Sequence, residues 1–416
     1  MPANSYAQSL AAVLAAAQPL ATEEVGLTSA TGRVLARDIA AGRDDPPAPK
    51  SSMDGFAVRA TDTRSASPAA PVTLGFREVV GAGHVAQHPV EPGSAMRIMT
   101  GALLPQGADA VVKQEDTIPA GNGRFALSRP LAAGENVVPT GARMQSGERM
   151  LAAGHPLGPQ AIGVAATLGL ANLPMFRQPR VALLALGDEL TEVGQPLRPG
   201  GIYVSNLYAL EALAARYGAA TRRLGIVADD PDRMLALLEP CLGSSDTACD
   251  VVITLGGSHK GDFDFVHTVF ERLGATTVFD RTLITPAQST RFATRGNTLL
   301  FGLPGTPGAS WCAFELFVRP ALWKLGGRAR LEHPVLNARM GLAYAWRGGP
   351  PGQQRRHFAP ARLEFPAEGA PIAYPIRGRH PMEMPASQVA DGLILCPEDL
   401  QKLEAGATAP VMWLGE

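Results

Sequence analysis

Cysteine is scarce in this sequence. The four present (Cys241, Cys249, Cys312 and Cys396) are scattered, with no close pair and no histidine nearby at ligand spacing. That argues against a zinc site or a disulfide framework and fits a reducing compartment. Surplus charge is lacking as well: 37 Lys and Arg face 38 Asp and Glu, a net charge of −1. Without a global basic field, nucleic acid is not expected as the main partner. No apolar run reaches membrane length, and Gln8, Ser9 and Gln18 interrupt the N-terminal alanines, which have no basic region before them. The expectation is a soluble, unprocessed, cytoplasmic protein with no membrane partner. Internal repeats and long disordered tracts are also missing. What is present is 416 residues at 46% hydrophobic content, enough for several cores and about two to four domains. Its many Gly and Pro concentrate outside one central stretch, residues 180–325.

In that stretch, apolar runs end one after another in Gly, Asp or Asn and lead into helical segments. Residues 181–186 read as a buried strand closed by Gly187, Asp188 and Glu189. Residues 205–217 carry Leu207, Leu210, Leu213 and Ala214 at helical spacing, with Ser205 or Asn206 as N-cap. The run 224–227 ends in Asp229 and Asp230, either of which could cap the helix that Pro231 opens. The run 251–255 ends in Gly256 and Gly257, and 298–302 leads through Pro304, Gly305 and Thr306 to a helix over about 310–325. Alternation of this kind predicts an α/β domain with a mostly parallel sheet covered on both faces.

Ligands of such sheets sit outside the carboxyl ends of the strands. Here those ends carry Asp188, Glu189, Asp229, Asp230, Gly256, Gly257, Asp262, Asp264 and Gly305. Glycines let backbone N–H groups approach an anion. The carboxylates would repel that anion unless a hard cation lay between them, so the set reads as Mg²⁺ plus a phosphorylated ligand. Each residue alone is an ordinary turn residue; it is the set that points to a site.

Around this core, residues 6–17 form an amphipathic helix and 33–40 a short strand, and Pro46, Pro47 and Pro49 lead into a small β-module spanning about 72–128. Residues 144–170 return to helix. After the central domain, β-type runs at 361–365, 371–376, 393–396 and 410–414 predict a small C-terminal barrel or sandwich. His84 and His88 sit four apart, in a Gly-rich loop rather than on a helix, which does not suit a metal.

The segments SSMDGFAV (51–58), RIMTGALLPQGADAVVKQE (97–115), LGDEL (186–190), LGIVADDP (224–231), the glycine pair at 256 and 257, and GLPGTP (302–307) resemble the molybdopterin molybdenumtransferase family of MoeA and the gephyrin E domain. The resemblance runs in order along nearly the whole chain. It implies an elongated homodimer with four domains per subunit: a helical hinge at 1–45 and 144–178, an inserted β-module at 46–143, an α/β molybdopterin-binding domain at 179–327 and a β-barrel at 328–416. It implies a reaction in which adenylylated molybdopterin and molybdate give molybdenum cofactor and AMP with Mg²⁺. Molybdopterin adenylyltransferase and a recipient molybdoenzyme are implied as protein partners. Catalytic roles fall by resemblance on Asp54 and Thr100, reaching across the dimer, and on Glu189 and Asp264. Pterin contacts fall on Ser205, Asn206, Gly256, Gly257, Ser258, Lys260, Pro304, Gly305 and Thr306. Metal contacts fall on Glu189, Asp229, Asp230, Asp262 and Asp264.

Departures from the family pattern lie where the anion chemistry is expected. Ser258, His259 and Lys260 precede Gly261 where the family reads Val, Ser and one further residue. Thr285, Pro286, Ala287, Gln288 and Ser289 stand where it reads Lys, Pro, Gly, Lys, Pro, so both lysines are replaced. Pro49 and Lys50 replace Asp and Asn, Arg143 an acidic residue, Val204 an Asp, and Thr306 an Asn. Each lost charged hydrogen bond is worth roughly 1.5 to 3 kcal/mol, for which Lys260, Arg281 and Arg291 are nearby substitutes. Two expectations follow: a transferase with rearranged cations, or a non-catalytic paralogue that carries the pterin or cofactor to one molybdoenzyme.

Overall fold

The run 181–186 is buried along its whole length and becomes the Arg180–Leu186 strand inside a six-stranded sheet. The structure is a computed structural model that describes residues 3–243, 246–257, 265–346, 355–376 and 389–415. The strand order is Ala220–Val227, Arg180–Leu186, Val251–Leu255, Thr298–Leu303, Arg291–Arg295, Thr276–Phe279. The first four strands are parallel; Arg291–Arg295 and Thr276–Phe279 extend one edge through antiparallel pairings, so that Arg291–Arg295 alone of the six runs the other way. A continuous apolar run suits a strand covered on both faces, and the alternation shows how each face is covered. Val181, Leu183 and Ala185 pack with Leu207, Leu210 and Ala214 of the Ser205–Arg216 helix. Ala182, Leu184 and Leu186 pack with Met234 and Leu238 of Pro231–Leu238 and with Val266, Val269 and Phe270 of Phe265–Arg272. Each large side chain so buried contributes about 1.5 to 3 kcal/mol.

The last helical segment of this layer runs without a break through Pro307–Ala313, a π-helical turn at Phe314–Val318, and Arg319–Leu325. Its middle holds a buried ion pair. Glu315 and Arg319 are 1% and 2% exposed, with Arg319 Nε 3.6 Å from Glu315 Oε2. Tyr217 Oη lies 2.9 Å from both Glu315 oxygens, and His333 Nε2 lies 3.2 Å from Oε2. Four groups therefore satisfy one another where water is excluded.

Beyond it, five strands close into a barrel: Arg356–Glu364, Ile372–Pro375, Val335–Met340, Thr408–Trp413 and Gly392–Cys396, which pairs back to the first. Small side chains make so narrow a ring possible, since Ala338, Ala359, Ala361, Ala373 and Ala409 all point into its core. His357 is buried there, its Nε2 3.0 Å from the Tyr344 hydroxyl, and burial lowers its pKa to about 4.

The chain divides into two compact units, residues 1–37, 153–163 and 170–416, and residues 38–152 and 164–169. The second unit holds another six-stranded sheet, ordered Ala110–Lys113, Gly55–Val58, Ser94–Ile98, Val72–Val80, Arg124–Leu127, Ile118–Pro119. Period-two alternation builds it: Phe56 and Val58 face one cluster, where Phe56 stacks on Phe125 at 4.0 Å, and Ala57 faces the other.

Several expectations are corrected. Residues 144–170 are not one helix: Arg149–Leu151 is a strand paired with Ile39–Ala40, and helix is confined to Pro159–Thr167. Gly147, Gly154, Pro156 and Gly158 punctuate the stretch, and Pro159 supplies the start. The strand over 33–40 reduces to isolated bridges at Val34 and Leu35 and the Ile39–Ala40 pair. Neither Ser205 nor Asn206 caps its helix; Val204 holds that position without a side-chain bond. Cys241 and Cys249, read as scattered, are joined by a 2.8 Å bond from the Cys249 N–H to the Cys241 carbonyl, while their thiols donate to the Leu237 and Thr247 carbonyls.

Candidate active site

The parallel strands deliver Leu186, Val227, Leu255 and Leu303 to one edge of the sheet, and the turns that follow enclose a cavity of about 470 Å³. Adjacent turns are stitched together laterally. The Gly187 N–H donates to the Val227 carbonyl at 3.1 Å, and the Gly256 N–H to the Leu303 carbonyl at 3.0 Å. Gly256 has φ +89°, and a Cβ there would stand 2.6 Å from the Leu186 oxygen. Only glycine lets the backbone pass so close.

Of the residues expected to bind the ligand, Ser205, Asn206, Gly256, Gly257, Pro304, Gly305 and Thr306 all line this cavity. Asn206, 5% exposed, donates from Nδ2 to the Gly305 carbonyl at 2.9 Å. It therefore acts as a tie between two turns rather than as a cap. Thr306 is the cap residue of the following helix, again with no side-chain bond. Ser258, Lys260, Asp262 and Asp264, with His259, lie outside the described residues.

Two of the expected carboxylates, Glu189 and Asp229, line the cavity. The Glu189 carboxylate folds over Gly187, where a Cβ would come within 2.6 Å of Oε2. The Asp229 N–H donates to Asp188 Oδ1 at 3.3 Å. Asp230 has the other role that the sequence left open: its Oδ1 accepts the N–H groups of Asp232 and Arg233 at 3.0 and 3.1 Å, capping Pro231–Leu238. Among the described residues, no three His, Cys, Asp or Glu side chains group to hold a metal by themselves. Two carboxylates beside glycine turns still suit a hard cation that takes its remaining oxygens from water and a phosphate.

The sequence pattern did not reveal part of the wall. Ile202 and Tyr203, 54% and 45% exposed, form a short parallel ladder with Leu190 and Thr191 and line the cavity with Leu190 and Ser289. Two exposed large apolar residues in tandem were the available signal. Ser289 belongs to the turn that lacks the family's lysines. The Thr282 N–H donates to the Gln288 carbonyl at 3.0 Å, Ala287 has φ +76°, and Thr285 pairs with His357.

In the second unit, Asp54 and Thr100 meet: the Thr100 N–H and hydroxyl both donate to Asp54 Oδ1 at 2.7 Å. Those two bonds hold the Asp54 carboxyl below the usual carboxylate range although the residue is exposed.

Comparison with known proteins agrees in all parts of the chain. Family models match residues 4–169 as the MoeA N-terminal region (domains I and II), 182–324 as a probable molybdopterin binding domain, and 345–414 as the MoeA C-terminal region (domain IV). The molybdopterin molybdenumtransferase of Bacillus subtilis is 35% identical over 400 residues, covering 95% of this chain and 90% of that one. That of a Nostoc species is 37% identical over 317 residues, covering 76% and 72%. A crystal structure of a molybdopterin biosynthesis MoeA protein of Pyrococcus horikoshii superposes with a TM-score of 0.88 at 30% identity, over 100% of both chains. No helix of the described residues is long and apolar enough to cross a membrane. Sequence identity over nearly the full length and a shared fold around the glycine-turn cleft lead to one assignment: the chain belongs to the molybdopterin molybdenumtransferase (MoeA) family and to molybdenum cofactor biosynthesis.

Proposed function

We propose that this chain inserts molybdenum into adenylylated molybdopterin, with Mg²⁺, and releases AMP. The observation that carries the proposal is the 470 Å³ cavity at the carboxyl ends of the parallel strands, lined by glycine turns and by the Glu189 and Asp229 carboxylates. In this reading the backbone at Gly256, Gly257 and Gly305 admits the pterin and its phosphates, and Asn206 fixes the spacing of two of those turns. Glu189 and Asp229 would hold Mg²⁺ with Asp262 and Asp264, and the ion, when bound, would offset the charge of the phosphate oxygens. Asp54, kept ionised by Thr100, completes the site from a second copy of the chain, so the working form is a homodimer. Four domains with the boundaries given from the sequence are part of the same proposal.

The test is AMP release from adenylylated molybdopterin with molybdate and Mg²⁺. Glu189→Ala is expected to lower the molybdate-dependent rate by roughly a hundredfold or more. An unchanged rate would remove Glu189 from the mechanism. A second reading is favoured by one specific observation: the turn at 285–289, part of which lines the cavity, carries Thr285 and Gln288 in place of two lysines. Tight pterin binding by the unaltered chain with no AMP release would make it a carrier for a recipient molybdoenzyme.

A further inference from the structure

A second cavity in the same unit shares no lining residue with the cleft just described and has a volume of about 420 Å³. Its cations are Arg216, at the end of the Ser205–Arg216 helix, and Arg328 and Arg330, which follow Arg319–Leu325. Its aromatic lining is Tyr217, Trp323 and Trp413. Glu332 is the carboxylate on the rim, so cations outnumber it three to one. Arg216 and Arg330 have no carboxylate partner among the described residues.

The floor does not cancel that charge. Glu315 beneath it is already engaged by Arg319, Tyr217 and His333. Trp323 is clamped between two guanidiniums, with Arg319 Cζ 4.2 Å and Arg328 Cζ 4.4 Å from the ring centre. Such stacking holds the wall in place before any ligand arrives. The Trp323 indole N–H is buried with no acceptor among the described residues. The cavity thus combines donors and positive charge with aromatic surface in one lining.

We propose that this cavity binds a small amphipathic anion: a carboxylate, sulfonate or phosphate attached to a planar apolar body. Guanidinium forks pair with such oxyanions in two-pronged fashion. The volume and the mixture of apolar wall with a few placed polar groups suit a small molecule. A metal ion is excluded by the three guanidiniums, and a purely apolar ligand would desolvate Arg216 and Arg330 without pairing them.

Phenyl phosphate is the probe, with inorganic phosphate and phenol as its separated halves, and binding is followed by tryptophan fluorescence on the full chain. Saturable binding is expected, tighter than that of either half. Arg216→Ala and Arg330→Ala should each weaken it by about tenfold or more. Glu332→Gln should tighten it, a gain that misfolding cannot produce. Glu189→Ala should leave it unchanged. Absence of saturation at millimolar probe overturns the proposal, as does loss of binding in Glu189→Ala without loss in the arginine variants, or weaker binding in Glu332→Gln.

Discussion

The two cavities of the α/β unit are built by opposite means. The cleft at the strand ends is made of main chain: Gly256 passes within contact of the Leu186 carbonyl, and the charges that line it are carboxylates. The Arg–Trp cavity is made of long side chains whose positions depend on a buried Glu315 network and on stacking. Backbone geometry fixes the first; electrostatics and packing fix the second. Substitutions should therefore separate them.

The largest effect is expected from Glu315→Ala. It strands Arg319 at 2% exposure and should cost about 3 to 5 kcal/mol in denaturant unfolding. At temperatures where the variant stays folded, phenyl phosphate binding should fall while pterin binding in the cleft persists; equal loss of both would show that the cavities are one mechanical unit. Gly256→Ala inverts the pattern. A methyl 2.6 Å from the Leu186 oxygen, at φ +89°, should cost about 2 to 4 kcal/mol and abolish pterin binding, leaving the Arg–Trp cavity intact.

His357, which lines neither cavity, provides a control in the barrel. His357 has its pKa depressed from 6.5 to about 4 by burial, so the unfolded chain takes up a proton that the folded barrel resists. Stability is unaffected above pH 6.5, declines as pH falls below it, and stops declining below about 4. At about 1.4 kcal/mol per pH unit, the loss between pH 6.5 and 5 is about 2 kcal/mol, and His357→Phe should remove it. The smallest change is expected from Asn206→Ala, which removes one tie to the Gly305 carbonyl. It should cost about 1 to 2 kcal/mol and weaken pterin binding without touching the second cavity.

The same contrast separates what was legible in the sequence from what was not. The central sheet could be read because 181–186 and 251–255 are apolar throughout and end in glycine and acidic turns, and the Asp230–Pro231 pair signals a helix start. A backbone-built cleft is written in such local patterns, so its glycine turns and two of its carboxylates were found, while Ile202 and Tyr203 were not. Asn206 lines the cleft but does not cap its helix, and its tie to Gly305 spans 99 positions that no local pattern records. The strand at Arg149–Leu151 was hidden since its partner at Ile39–Ala40 is likewise remote. The Arg–Trp cavity left no motif at all: it draws on residues from Gly154 to Gly415, which only folding assembles.

The unbroken helical segment at 307–325 begins at the cleft, where Thr306 and Pro307 line the wall, and presents Trp323 to the other cavity. At a rise of about 1.5 Å per residue, the two ends of that span stand on the order of 25 Å apart. Occupants of the two cavities are therefore too far apart to collide or to compete for the same atoms. Whatever one occupant does to the affinity for the other has two rods to travel along: this segment, through the π turn and the ion pair at its middle, and the Ser205–Arg216 helix, whose first residues line the cleft and whose last lines the second cavity.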